Sequence, residues 1–279
     1  MRVLRHFQWP ALAGVLLGLL VTNLRAQSTL VYVSDANGNI GQFDVRLGSG
    51  TVLGSLSASG FTAGQVIGLA YDSMTNGVLI FDRSANTVYT MNASTGVATV
   101  LFTTPGVTFQ GGAIFGGLIY GINENTQQLT AFSFSGVAQS LSGTNLTAHV
   151  HALGLNPVTE QLVYLSSSSG LRVINTDGTE GDVLLNSTQT GSIKGEDVAY
   201  YNGGYLVASY DSQLYLLDGI TGTSSVFITS AQITAMGMVG SVSGVDLNFI
   251  AVPEPGTWIL LLMGLGAVVM FTIRRRPIK

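Results

Sequence analysis

Residues 67–101 read IGLAYDSMTNGVLIFDRSANTVYTMNASTGVATVL. Four short apolar runs can be picked out around this stretch, VIGLAYD, GVLIFDR, TVYTMN and ATVLFTT, separated by turn-forming residues such as Asn76-Gly77 and Thr95-Gly96. Runs of this length with alternating character and Gly or Asn between them are strand and hairpin signals, so the segment predicts four consecutive antiparallel strands.

The pattern recurs through the chain. Strands resembling GVLIFDR appear as TLVYVSD, GLIYGIN, QLVYLSS and GYLVASY, and anchoring on Tyr32, Phe81, Tyr120, Tyr164 and Val207 gives spacings of 49, 39, 44 and 43 residues. That is the period of a propeller blade. A second strand follows each anchor (NIGQFDV, TVYTMN, QLTAFSF, LRVINTD, QLYLLDG), then usually a third (GTVLGSL, ATVLFTT, DVLLNST, SSVFITS). Before the anchors stand small-residue strands: VIGLAYD, GGAIFG, HALGLN, EDVAYY and, after the last full repeat, TAMGMVG. Gly68, Ala70, Gly112, Gly154, Ala199 and Gly237 suit innermost strands crowded round an axis. The body opens with strands two to four of a blade and closes with a lone first strand near residue 235. Joining them completes one blade and ties the ring, giving five four-stranded blades. GVDLNFIA, residues 244 to 251, either adds a strand beside Tyr32 or leads into the tail. The competing architectures are a β-sandwich and an open β-solenoid.

Composition agrees with an all-β body. Hydrophobic residues make up 46% of the 279, charged ones 9%, and there are 36 glycines, whereas surface helices need Glu, Lys and Arg. Seven of the eleven basic residues lie at the chain ends, which leaves Arg46, Arg83, Arg172 and Lys194 against fourteen acids between Gln27 and Val252. A body with that excess of acid repels phosphate backbones, which argues against a nucleic-acid partner. Without cysteine there are no disulfides and no thiolate metal sites.

The two ends read as addresses. Residues 1–26 have a positive start, an uncharged run from Ala11 to Leu24 and a small residue, Ala26, before Gln27, which predicts a secretory signal peptide cut between Ala26 and Gln27. Leu24, three residues before the cut, is larger than usual there, and a first transmembrane helix is the alternative. At the other end Val252-Pro253-Glu254-Pro255 precedes 16 mostly apolar residues, Trp258 to Ile273, and then Arg274, Arg275 and Arg276. As a helix this run is about 24 Å long at ~1.5 Å per residue, short for a ~30 Å hydrocarbon core but able to hold a membrane. Trp258 marks one interface and the arginines the cytoplasmic one. The two prolines keep the Pro-Glu-Pro segment extended and unpaired.

This tail resembles the PEP-CTERM sorting signal of Gram-negative bacteria, on Pro253, Glu254, Pro255, the helix from Trp258 to Ile273 and the three arginines. The resemblance covers about the last 28 residues, 252–279, and implies a substrate that an exosortase recognises and trims in exopolysaccharide-producing species. The repeats also resemble those of bacterial secreted β-propellers, which bears on architecture alone.

For the body, residues 27–251, aligning the inner strands puts Gln65, His149, Lys194 and Gln232 at equivalent positions, with Gln110 near them and His151 and Glu196 two residues later. These predict a ligand mouth at one end of the axis, with Lys194, Glu196 and Asp197 as its charged members; solvated strand starts without a ligand are the plainer alternative. His149 and His151 share a strand face as metal ligands can, but no third ligand is evident, so no metal is expected. Asp35, Asn37 and Asn39 imitate a calcium loop, but Ile40 stands where glycine is required and Arg46 where the closing glutamate belongs. No G-x-S-x-G elbow is present, and Glu196 and Asp197 point to opposite faces of a strand, a poor acid/base couple. No catalytic residue and no cofactor are expected. The sequence therefore predicts an exported protein handled by the general secretion machinery, held at the inner membrane by its tail, trimmed by an exosortase, and associated at the surface or outside the cell with exopolysaccharide or biofilm through a non-catalytic propeller. The alternative is an exported propeller enzyme of the glycan lyase, hydrolase or lactonase type.

Overall fold

The computed structural model describes residues 30–248 apart from 63, 144, 192 and 194. The leader with Ala26 and Gln27, the Pro253-Glu254-Pro255 segment, Trp258, Arg274, Arg275 and Arg276, and Lys194 lie outside the described residues. No helix among the described residues is long and apolar enough to cross a membrane.

The described residues form a five-bladed β-propeller of four-stranded antiparallel sheets. The first blade joins both ends of the body: β1 (Leu30–Asp35), β2 (Asn39–Asp44) and β3 (Ser49–Ser55) are completed on the inside by β20 (Val242–Leu247). The second blade runs outward as β4 (Val66–Asp72), β5 (Gly77–Asp82), β6 (Thr87–Asn92) and β7 (Ala98–Thr103), and the third as β8 (Phe109–Phe115), β9 (Leu118–Asn123), β10 (Gln128–Phe132) and β11 (Ala138–Gln139). The fourth holds β12 (Ala152–Asn156), β13 (Gln161–Ser166), β14 (Gly170–Ile174) and β15 (Glu180–Leu185). The fifth holds β16 (Gly195–Tyr201), β17 (Gly204–Ser209), β18 (Gln213–Asp218) and β19 (Ser224–Ile228).

One expectation is corrected. Residues 230–235 form not the closing strand but a short helix, with α1 (Ser187–Thr190) preceding it in the chain and α2 (Ser230–Ala235) standing where TAMGMVG begins. The cause is local: the Thr229 hydroxyl accepts from the Gln232 amide (3.3 Å) while Gln232 Oε1 accepts from the Thr229 amide (3.0 Å), a capping box that satisfies the first helical donors. Met236 and Met238 beyond it fill the core between the fifth and first blades with Val31, Leu206 and Ile233. The strand that closes the ring is β20, drawn from VSGVDL, and it pairs with β1 so that Tyr32 faces Asp246 and Val33 faces Val245.

Hydrophobic layers lie between neighbouring blades, for example Phe81, Phe109, Ile119 and Phe132 between the second and third, with Phe81 and Phe109 edge to face at 5.4 Å. At the axis the backbones themselves touch. A Cβ on Gly154 of β12 would collide with the Val198 carbonyl of β16, and one on Gly111 of β8, held at φ +69°, would collide with the Leu153 amide. Gly154→Ala is therefore expected to lower stability by about 1–3 kcal/mol, because backbone and not a flexible side chain must move. Thermal or denaturant unfolding checks this, and an unchanged midpoint would contradict so close an approach.

The second strand of every blade ends in a buried Asp, Asn or Ser: Asp35, Asp82, Asn123, Ser166 and Ser209. Such side chains accept the amides of the following turn and stop the strand there. Asp82 Oδ1 accepts from Ser84 and Ala85 (3.0 and 3.1 Å), Asp35 Oδ1 from Asn37 and Asn39 (2.9 and 3.0 Å), and Asn123 Oδ1 from Asn125 (3.0 Å). The hairpin at Asn37-Gly38 is thus built around Asp35. The next residue of each repeat, Ala36, Arg83, Glu124, Ser167 or Tyr210, is delivered to the same end of the ring.

Candidate functional site

That end is where the inner strands begin. The Arg83 amide donates to the Gln65 carbonyl (2.9 Å), Glu124 to Thr108 (2.7 Å) and Ala36 to Ser241 (3.2 Å), which ties the end of each second strand to the start of its inner neighbour. In β16 the register slips between Gly195 and Asp197, so Glu196 is an extra, bulged residue; β8 slips likewise at Gly111, next to Gln110. Bulges re-aim side chains beside functional sites.

Four side chains converge here. Arg83 makes a bidentate ion pair with Glu124, its Nε donating to Oε2 (2.7 Å) and its Nη2 to Oε1. The Tyr210 hydroxyl is the donor facing the Glu196 carboxyl. Arg83 comes from the second blade, Glu124 from the third, and Glu196 and Tyr210 from the fifth. Arg83 acts on the charges of both Glu196 and Tyr210. Glu196 is 4% exposed and its Oε2 has no partner among the described residues; Gln110, 6% exposed at the same level of β8, leaves its Oε1 without one as well. Burial pushes the Glu196 carboxyl up to about 7, against the Tyr210 hydrogen bond and the Arg83 charge, which pull it down. Tyr210 is raised to about 12, first by burial and then by Glu196, although half of the residue stays exposed.

Beneath Glu196 the axis is closed. Asp197 is wholly buried, and its Oδ2 accepts from the amides of Leu69 on β4 and Val245 on β20, both at 2.9 Å. One carboxyl thereby links the inner strands of the fifth, second and first blades. Burial holds it well above the usual carboxylate range, outweighing those amides, and Asp246 nearby raises it further. Asp246 itself is pushed to about 7 by burial while accepting from the Tyr71 and Leu247 amides. Tyr71 and Tyr32 stack at 5.3 Å with planes 13° apart.

The structure brings some of the sequence-predicted residues to this end and not others. Gln65 leads into β4, and its amide donates to Asp82 Oδ1 (3.2 Å). His149 and His151 lead into β12 with rings 4.9 Å apart, flanking Val150, which is fully buried and whose amide is held by Gln127 Oε1 (2.8 Å). Among the described residues no three His, Asp or Glu side chains are grouped to hold a metal. Glu196 is the buried, bulged residue at the start of β16. Gln232 is the exception: it caps α2 and donates to the Gly48 carbonyl (3.2 Å) in the turn between β2 and β3, because the segment aligned as an inner strand is helical. Arg83, Glu124 and Tyr210 were not singled out from the sequence. Their signal was a column, the residue after the buried Asp, Asn or Ser that ends each second strand.

Comparison with known proteins adds three findings. The PEP-CTERM protein-sorting motif matches residues 251–276. No curated protein matches the chain. Among solved structures, the body is similar to a chain of the nidogen/laminin complex with a TM-score of 0.59 and 13% identity, over 79% of this chain and 98% of that one, which shows a shared fold alone. A structural genomics protein of unknown function from Bacteroides thetaiotaomicron aligns at 14% identity over 72% of this chain and 58% of that one, with a TM-score of 0.48.

Proposed function

We propose that this chain is exported, passes through an inner-membrane stage on its C-terminal segment, is trimmed there by an exosortase, and ends at the cell surface or outside it as a non-catalytic binding propeller associated with exopolysaccharide. The PEP-CTERM motif at 251–276 implies an exosortase substrate, and its body is a propeller. The observation that carries the reading is the order of parts at the C-terminus: Pro253-Glu254-Pro255, then 16 mostly apolar residues, then three arginines. A marginal run suits a transient stay in the membrane. In this reading a signal cut between Ala26 and Gln27 puts the body on the side where the motif is read. Support for a binding role comes from Asp197, the carboxyl next to Glu196, whose Oδ2 holds the Leu69 and Val245 amides in a wholly buried position and so serves the fold rather than acid/base work.

Cells lacking the exosortase are expected to retain the protein in the inner-membrane fraction at full tail length, while wild-type cells move it to surface or medium fractions. Identical fractionation of the two strains would overturn the reading. A second reading, an exported propeller enzyme acting on glycans or lactones, draws on the near-neutral Glu196 carboxyl, a value suited to proton transfer at physiological pH. Activity in a hydrolase and lyase screen that disappears in Glu196→Gln would favour it.

A further inference from the structure

We infer that the end of the propeller opposite Glu196 is a bilayer-contacting face, on which an apolar turn tip from every blade rests against zwitterionic lipid while the C-terminal run holds the chain at the membrane. This rests on the reading of residues 258–273 as a membrane stage and adds which face of the body meets the lipid.

The inner strands end at this face, and both ends of the body lie there: the Asn248 amide, just after β20, donates to the carbonyl of Leu30, the first residue of β1 (3.2 Å). Large apolar side chains stand exposed in its turns, from 59% at Val97 to 94% at Met74. Leu47 belongs to the first blade, Met74 and Val97 to the second, Val137 to the third, Val158 to the fourth and Ile220 to the fifth. At the other end, among the described residues, Tyr210 and Val239 are the large apolar side chains so exposed.

Turn chemistry does not demand apolar tips. Both ends use one device, a strand-terminal Asp, Asn or Ser whose side-chain oxygen accepts the amide two residues on. At the Glu196 end the residues so held are polar: Asn37, Ser84, Asn125 and Ser168. At the opposite end Asp72 holds Met74, Asn156 holds Val158 and Asp218 holds Ile220, each at 3.0 Å. Asp44 and Asn92 hold Arg46 and Ser94, and there the apolar residue comes later in the turn, as Leu47 and Val97. The same turn thus carries water-suited tips at one end and tips suited to an apolar phase at the other.

Chain length and charge select the occupant. Residues 249–257 separate the body from the apolar run, and even fully extended at ~3.3–3.6 Å per residue they reach at most about 35 Å. With that run in a membrane, the face the chain leaves from stands within reach of the lipid surface. The acids of its turns, Asp44, Asp72, Glu160, Asp177 and Asp218, outnumber Arg46. Such a face repels anionic headgroups, so the contact is made by the apolar tips on zwitterionic lipid.

The chain has no cysteine, so a single introduced one can carry a probe. Full-length Met74→Cys, Val158→Cys and Ile220→Cys variants, each bearing a fluorophore, are reconstituted in phosphatidylcholine vesicles containing nitroxide-labelled lipid, with Ser84→Cys and Ser168→Cys as controls from the other end. All five positions are exposed, so the label disturbs no packing. The lipid nitroxide is expected to quench the tip labels about threefold more strongly than the controls, and aqueous iodide about threefold less. Chains that float with the vesicles while their tip labels stay as open to iodide as the controls would overturn the inference and leave the membrane stage standing. Shielding from iodide without lipid quenching would place a second copy or another protein on the face, which also overturns it. Chains that do not float with the vesicles would overturn the membrane stage and this contact with it.

Discussion

Asp197→Ala is expected to destabilise the propeller by about 3–5 kcal/mol, enough to threaten folding of a typical domain. The carboxyl is wholly buried and its Oδ2 holds the amides of Leu69 and Val245, which belong to two other blades. Truncation leaves two amides unpaired in a dry interior at about 1–3 kcal/mol each, and adds a small cavity. Asp197→Asn keeps an acceptor of the same shape and removes the ionisable group. It is expected to lie within about 1 kcal/mol of wild type at pH 5 and to be the more stable protein at pH 8.

The sign follows from burial. Asp197 and Asp246 are raised in the fold, and so is Glu196, so the folded chain holds protons that the unfolded chain has released. Stability from these groups is fully present below their unfolded values near 4 and is lost as pH climbs through their raised folded values, about 7 for Glu196 and Asp246. Glu180 behaves oppositely: although burial raises it, the stronger combined pull of Thr147, Tyr164 and Arg172 lowers it, and its contribution fades in strong acid. The unfolding midpoint of wild type should therefore be highest near pH 5 and fall toward pH 8, with the slope reduced in Asp197→Asn. Urea titrations at both pH values check this, and an Asn variant several kcal/mol weaker at pH 8 would show that an ionised carboxylate is required.

Replacing Pro253, Glu254 and Pro255 together by alanine is expected to reduce tail removal to near zero while leaving the body folded. Proline cannot continue a helix and disfavours helix in the residue before it, whereas alanine is the best helix former, so the triple replacement removes the local block to helix at this motif. Glu254 also keeps the segment in water, and its loss draws it toward the bilayer. Immunoblotting of membrane and medium fractions reads the outcome, and unchanged trimming would show that the protease recognises something else.

Much of this was legible in the chain. The blade period came from the anchors Tyr32 to Val207, and the turn residues at Asn76 and Asn37 agree with the observed hairpins. Ring closure by both ends was also readable, but its strand was misplaced, because TAMGMVG is apolar and small like an inner strand while Thr229 and Gln232 carry the capping box that makes it helical. GVDLNFIA, residues 244 to 251, reads either as a strand beside Tyr32 or as a lead into the tail, and the first holds: it supplies the end of β20 beside β1, where Asp246 accepts from the Tyr71 and Leu247 amides. At the site, Glu196 could be found by aligning inner strands. Arg83, Glu124 and Tyr210 could not be found that way, since their convergence depends on blades that face each other across the ring.

Intact-mass measurement of the protein recovered from envelope and medium tests the central claim most directly. The account expects a species that begins at Gln27 and lacks Trp258 to Lys279. A sole stable form that still carries the arginine tail, or one found with its leader attached, would contradict it.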